Sequence, residues 1–181
     1  EEIILELRKL QESVKPIGVT EIKMILAQNW GKQINEVCSS FDDVPLGAAS
    51  IGQVHRGVLM SGEQVAIKVR RADIVPRVHA DLVILADLAR LAEQRWGWAC
   101  RMNLVQVVAE FTEAMNEEMN YQQEAVNIQR IADQNQPDVK VPMVYEELSS
   151  NQVLVMEYIE GIRLDDRAGL AEAGIDCNQI A

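Results

Sequence analysis

"PLGAASIGQVHRGVLMSGEQVAIKVR", Pro45 to Arg70, decides how the rest of this chain is read. Its β-branched residues alternate with polar ones, which is the period of a strand rather than a helix. "SIGQVHRGVL" and "EQVAIKVR" read as two strands, and "MSGE", Met60 to Glu63, supplies the turn between them. Ahead of the first strand lies "GAAS", Gly47 to Ser50, a run of small residues. Val65, Ile67 and Val69 alternate with Ala66 and Lys68, so Lys68 leaves the sheet on the same face as Ala66.

Taken alone, "GAAS" is a tight turn and a strand lysine is ordinary. Together, at hairpin spacing, they point to a phosphate-holding loop with a lysine reaching the same phosphates. Protein kinases use G-x-G-x-x-G-x-V for the loop and V-A-I-K for the lysine. Gly47-Ala48-Ala49-Ser50-Ile51-Gly52-Gln53-Val54 matches at the first glycine, the third glycine and the valine, and Ala49 replaces the middle glycine. Alanine tolerates positive φ poorly, so this loop is expected to be stiffer than an all-glycine one. Its N–H groups could still converge on phosphate oxygens. The small Ala66 beside Lys68 leaves room for a flat adenine ring.

A lysine withdrawn from water needs a carboxylate partner. "EAMNEEMNYQQEAVNIQR", Glu113 to Arg130, offers Glu113, Glu117, Glu118 and Glu124, and each is equally readable as a solvated charge. Glu117 and Glu124 are seven apart and are expected to share a helix face. "QVLVMEYIEG", Gln152 to Gly161, is either a plain core strand or a hinge. As a hinge, Met156 would guard the back of the pocket, while Glu157 and Ile159 would offer main-chain groups to an adenine edge.

Outward from this centre, residues 1–36 read as a helical extension. Ile3, Ile4, Leu7 and Leu10 form one stripe and Ile22, Ile25, Leu26 and Trp30 another, with Pro16 and Gly18 between them. "INEVCSSF" reads as the first strand and "VKVPMVYEEL", Val139 to Leu148, as the fourth, before "QVLVMEYI". A helix is expected over about 73–98, with Val78, Leu82, Leu85, Leu88 and Leu91 at helical spacing, and "WGWAC" interrupts it. Another is expected over about 104–134, carrying Val105, Val108, Phe111, Met115, Met119 and Ile128 and ending at "NQPD". The order implies an α+β fold: five mostly antiparallel strands at 37–161 with long inserted helices, then a further helical start at 162–181.

The chain has 181 residues, 48% of them apolar, and a net charge of -11. Nucleic acid is a poor partner for that balance, because phosphodiester binding needs clustered Lys and Arg. Cys38, Cys100 and Cys177 lie far apart without a CxxC pair, which disfavours zinc and a disulfide framework and fits a reducing compartment. No apolar run reaches the ~18 residues of a membrane span. "EEIILELRKLQ" is acidic where a signal peptide is basic, so the expected location is cytoplasmic or peripheral to a membrane. Both ends have the look of cuts, at a helix pattern and at "GIDCNQIA".

Four stretches together resemble the UbiB/ABC1 family of atypical kinase-like proteins: "ELRKLQESVKPI", "FDDVPLGAASIGQVHRGVLMSGEQVAIKVRR", "EEMNYQQEAVNIQRI" and "VLVMEYIEGIRLDD". The resemblance implies a protein-kinase-like N-lobe with an alanine-rich nucleotide loop, linked to ubiquinone and other prenylquinone pathways. By it, Leu46 to Val54 form the loop, Lys68 contacts phosphate, and Glu124 is the helix glutamate paired with that lysine. Glu118 matches the first acid of an E-x-D element, but Asn120 stands where its aspartate is expected. ATP or ADP is the implied ligand. The K-x-G-Q segment, the catalytic-loop aspartate and asparagine, and the metal-binding D-F-G aspartate do not occur in these residues, and no metal ligand is expected among them. Mg²⁺ is therefore expected only with parts of the family fold outside the chain, and the 181 residues alone are expected to be inert. The competing expectation is a non-catalytic, pseudokinase-like module that docks quinone-biosynthesis proteins or a membrane-associated complex. An α+β domain with an accidental loop likeness is the third.

Overall fold

The computed structural model describes residues 16–134, 139–162 and 166–175. Five strands form one antiparallel sheet: β1 Cys38–Phe41, β2 Gly47–Ala48, β3 Gly52–Leu59, β4 Gln64–Arg70 and β5 Val153–Glu157. Their order is β1-β3-β4-β5, with the short β2 also paired to β3. Among the described residues seven helices accompany them: α1 Val19–Trp30, α2 Ile34–Val37, α3 Ile74–Arg95, α4 Gly97–Arg101, α5 Leu104–Glu118, α6 Tyr121–Asp133 and α7 Arg167–Glu172.

Strand alternation divides the sheet into two faces with different tasks. Val65, Ile67, Val69, Val153 and Val155 point to one side and close over α1, whose Ile22, Ile25 and Leu26 are buried against them. Ile22 and Leu26 are wholly excluded from water, and each contributes about 1.5–3 kcal/mol on that account. Residues 17–30 are therefore part of the sheet's own core. On the opposite face, register sets Val54 beside Lys68 and Lys68 beside Leu154, while Arg56, Ala66 and Met156 form the next row. α6 packs on that second face at Lys68.

Two polar side chains are also buried on the α1 side, and they satisfy one another. The Gln53 side chain accepts from the Ile17 N–H (2.8 Å) and donates to the Ile17 carbonyl (3.3 Å). Its amide nitrogen also lies 2.8 Å from His55 Nε2, so Nε2 accepts and Nδ1 carries the proton that is donated to the Asp42 carbonyl at 2.8 Å. The imidazole stacks on Phe41 with centroids 4.8 Å apart.

Several expected elements differ. "INEV" is a turn of helix, because Gln33 and Glu36 cap each other reciprocally across its start; the strand begins at Cys38. "VKVPMVYEEL" is reduced to a single bridge, Val144 to Met156, followed by a 3-10 turn at Glu146–Leu148. Pro142 has no N–H to give to a ladder. The fifth strand is instead β2, split from the loop. The helix expected over 104–134 breaks at Met119 and Asn120. There the Asn120 side chain accepts from Gln122 N–H (3.1 Å), Tyr121 N–H bonds the Asn151 carbonyl (3.3 Å), and Arg70 donates to the Met119 carbonyl. "WGWAC" is a separate short helix after the Trp96 break.

In the α3–α5 hairpin the buried side of α3 is Leu82, Ala89 and Ala92. Small alanines let the helices approach closely, so Leu85, Leu88 and Leu91 of the expected stripe remain exposed, as does Phe111 of α5. The stripe at Ile3 to Leu10, Cys177 and "NQPD" lie outside the described residues. Among the described residues no helix is long and apolar enough to cross a membrane.

Candidate functional site

Lys68 projects from the middle of β4 on the face away from α1 and meets α6. Its Nζ donates to both Glu124 oxygens, at 2.9 and 2.6 Å, and sits 4.6 Å from the centroid of the Tyr121 ring. The lysine side chain is 21% exposed and the glutamate 35%, so the pair is neither dry nor fully solvated. Of the four glutamates weighed from the sequence, Glu124 is the one in contact. Glu117 and Glu118 lie nearby: with Lys68, Ala114, Gln123, Glu124 and Asn127 they line a cavity of about 440 Å³. Because the helix breaks at Asn120, Glu117 and Glu124 reach this cavity from two helices rather than from one continuous face. Asn120 itself is an N-cap.

The loop closes over the other side of the lysine. Leu46 N–H bonds the Val54 carbonyl (2.8 Å), Ala49 N–H bonds the Gly52 carbonyl (2.7 Å), and Arg71 N–H bonds the Ile51 carbonyl (2.9 Å). Beneath it is a cleft of about 290 Å³, lined by residues of Gly47–Val54 together with Lys68, Glu118 and Tyr121. Gly47, Ala48, Ala49, Ile51, Gly52, Gln53 and Val54 are brought together there; Ser50 sits exposed at the tip. The Gln53 side chain is committed to Ile17 on the far face, so its share of the cleft is backbone.

The stiffness expected of Ala49 rested on a positive φ that the loop does not have. Among the described residues, Asn103 is the one non-glycine in the left-handed region, and neither Gly47 nor Gly52 is there. What Gly52 supplies is room. A Cβ at Gly52 would lie 2.5 Å from the Val69 carbonyl oxygen, 2.6 Å from the Tyr121 hydroxyl and 3.2 Å from Arg70 Cα, whereas one at Gly47 would meet nothing within 4 Å.

Ala66 and Met156 face each other across β4 and β5 at the far end of the same face. Glu157 spends its N–H on the Met143 carbonyl (2.7 Å), and its carboxylate, bonded by Lys140 and by the Met143 N–H, is held below the usual carboxylate range. Ile159 lies just beyond the strand, 39% exposed. Among the described residues no cluster of three or more His, Cys, Asp or Glu is placed to hold a metal ion.

Tyr121 belongs to the site although the sequence reading did not select it. The signal was available: it precedes Glu124 by three residues, so the two share a helix face, and whatever Glu124 meets Tyr121 meets also. A larger cavity of about 580 Å³ lies along another face of α6, lined by Ala125, Val126, Arg130 and Glu146 among others, and holds none of these residues.

The ABC1 atypical kinase-like domain matches residues 9–181. The chain belongs to the ABC1 atypical kinase-like family. It is 36% identical over its whole length to "Probable protein kinase UbiB" of Pseudomonas fluorescens, covering 34% of that protein. It is 37% identical over 98% of its length to "Protein ACTIVITY OF BC1 COMPLEX KINASE 1, chloroplastic" of Arabidopsis thaliana, covering 26% of it. "AarF domain-containing protein kinase 1" of Gallus gallus is 32% identical over the full chain and covered to 35%. The chain thus spans between about a quarter and a third of these ABC1 relatives. Rv3197 of Mycobacterium tuberculosis, solved with erythromycin, superposes with a TM-score of 0.71 at 29% identity, over 83% of this chain and 38% of that one.

Proposed function

We propose that this chain is the nucleotide-binding part of an ABC1 kinase-like protein, with ATP or ADP as ligand and a role in ubiquinone or another prenylquinone pathway. The observation that carries the reading is the Lys68–Glu124 pair beside a small-residue loop. A carboxylate taking the ammonium from one side holds it in place, so that its remaining N–H can reach a phosphate oxygen in the cleft. Leu46 to Val54 would lie over the phosphates, and Ala66 and Met156 would bound the adenine. The adenine edge would fall to main-chain groups near Glu157 and Ile159. With Glu157 N–H already given to Met143, its carbonyl is the group left for that task.

The 181 residues contain no D-F-G sequence, and the reading therefore assigns them binding without phosphoryl transfer. A titration of ATP and ADP, with and without Mg²⁺, into the protein and its Lys68→Ala variant tests the proposal. Binding that the variant loses by tenfold or more is the expected result. Equal affinity in both, or no binding in either, would refute it. Dose-dependent ATP turnover by a highly purified sample of the 181 residues would refute the second half.

A docking role is the second reading. It is favoured by Val83, Ile84, Leu88, Leu91 and Phe111, all apolar and exposed on the α3–α5 hairpin. It would place quinone-biosynthesis proteins or a membrane-associated complex on that hairpin, and it is supported if nucleotide binding is absent.

A further inference from the structure

The Tyr121 side chain is fully buried, and its hydroxyl is one of two buried side-chain polar atoms with no hydrogen-bond partner among the described residues; Arg70 Nε is the other. A buried hydroxyl in that condition is destabilising and is worth retaining only if something else uses it. Its position says what. The oxygen lies directly under Gly52 at the root of the loop, the ring carries the Lys68 ammonium, and the residue lines the cleft below the loop with Lys68 and Glu118.

We propose that the Tyr121 hydroxyl is a phosphate-tail contact of the cleft, a donor without an acceptor until a phosphate oxygen enters between the loop and Lys68. The inference rests on the nucleotide reading and adds a residue to it. Tyr121 donates an O–H bond to the same group that Lys68 holds by charge, so the two act on the polyphosphate from adjacent points of one wall. Burial, and then the Glu124 carboxylate, push the phenol well above its usual range, so it keeps the proton it must donate. Of the other carboxylates near the ring, both Glu124 oxygens are taken by Lys68, and Glu118 makes no hydrogen bond to the hydroxyl. Gly52, the first residue of β3, stands over the hydroxyl at the root of the loop. A shift of the loop there that admits a phosphate would uncover the O–H.

Tyr121→Phe keeps the ring, the packing and the contact with Lys68 while removing the donor alone. The unliganded variant is expected to melt at or above the temperature of the parent protein. Its affinity for ATP and for tripolyphosphate is expected to fall roughly tenfold, as for one lost hydrogen bond to a charged acceptor. Adenosine, which lacks the phosphates, is expected to bind both proteins alike. Three results would overturn the inference: ATP affinity unchanged by Tyr121→Phe, an equal loss for adenosine, or a clear drop in the unliganded melting temperature, which would mean that Glu118 or another acceptor already serves the hydroxyl. Failure of the parent itself to bind ATP would remove the nucleotide reading and this inference together. ATP binding that is lost in Lys68→Ala but intact in Tyr121→Phe would remove only this one.

Discussion

Gly47 and Gly52 bound the same loop, yet replacing them by alanine should give opposite results. At Gly52 the new Cβ would stand 2.5 Å from the Val69 carbonyl oxygen, short by about 0.9 Å of the 3.4 Å at which ordinary contact begins. It would also stand 3.2 Å from Arg70 Cα, and both obstacles are backbone of β4, the strand paired with Gly52. The end of the β3–β4 ladder has to part. Overpacking of this kind costs about 1–3 kcal/mol, and disturbing the adjacent Arg71 to Ile51 bond adds roughly 1 kcal/mol. The sum, about 2–4 kcal/mol, lowers the melting temperature by roughly 4–16 °C for a protein of this size. Gly47→Ala meets no atom and no left-handed backbone, so it should be neutral or stabilise by about 0.4–1 kcal/mol through the unfolded chain. Urea denaturation of both variants, with thermal melts alongside, measures the contrast. Adding Tyr121→Phe to Gly52→Ala removes the 2.6 Å obstacle but not the backbone ones, so it should restore less than half of the loss. If Gly52→Ala unfolds within about 0.5 kcal/mol of the parent, or Gly47→Ala loses as much as it does, the steric account of the loop is wrong.

Glu124→Gln leaves a half-buried ammonium with a weaker partner and should cost about 1–2 kcal/mol by urea denaturation, between the values for exposed and buried pairs; no change would mean that the pair is not formed in solution. Gln53→Leu strands the Ile17 N–H and carbonyl and should cost about 2–4 kcal/mol, with faster exchange of the Ile17 amide in hydrogen-exchange NMR. Burial pushes the Cys38 thiol up to about 11. A raised thiol pKa favours the folded state below the unfolded value near 9 and loses that advantage as pH climbs to the folded value. Stability should thus fall by roughly 2–3 kcal/mol between pH 9 and 11, and Cys38→Val should lack that part of the slope. In the native protein an alkylating reagent at pH 8 should modify the exposed Cys100 well before the buried Cys38.

The parts of this fold that were legible share one property, a strong period over enough residues. Alternation through Gln53–Leu59 and Val65–Val69 set both strands, their turn and the face of Lys68, because one buried side leaves a single acceptable register. Where one residue overrides the pattern, the reading went astray. Pro142 turned an apolar alternating run into a lone bridge, and Asn120 divided a helix whose hydrophobic spacing runs on without a pause. The leucines of α3 kept a helical period, but close packing fell to Ala89 and Ala92, a preference that hydrophobicity alone does not reveal. By charge and spacing alone the four glutamates looked alike, and it was the family resemblance that chose Glu124; its cap, Asn151 and Arg70 fix the start of α6 so that this carboxylate meets Lys68. Gln53 and His55 were readable in principle, since both stand at the inward positions of an alternating strand and two inward polar groups must find each other.

That strand also divides the chain's tolerance of insertions and deletions. A residue added or lost at the exposed tip near Ser50 changes only the reach of a loop. The same event between Gln53 and Val58 turns the plank over: the amide and imidazole that bind Ile17 and Asp42 would swing to the Lys68 face, and Val54 and Arg56 would be driven against α1. Length variation in descendants of this sequence should therefore collect before Gly52 and stop there abruptly.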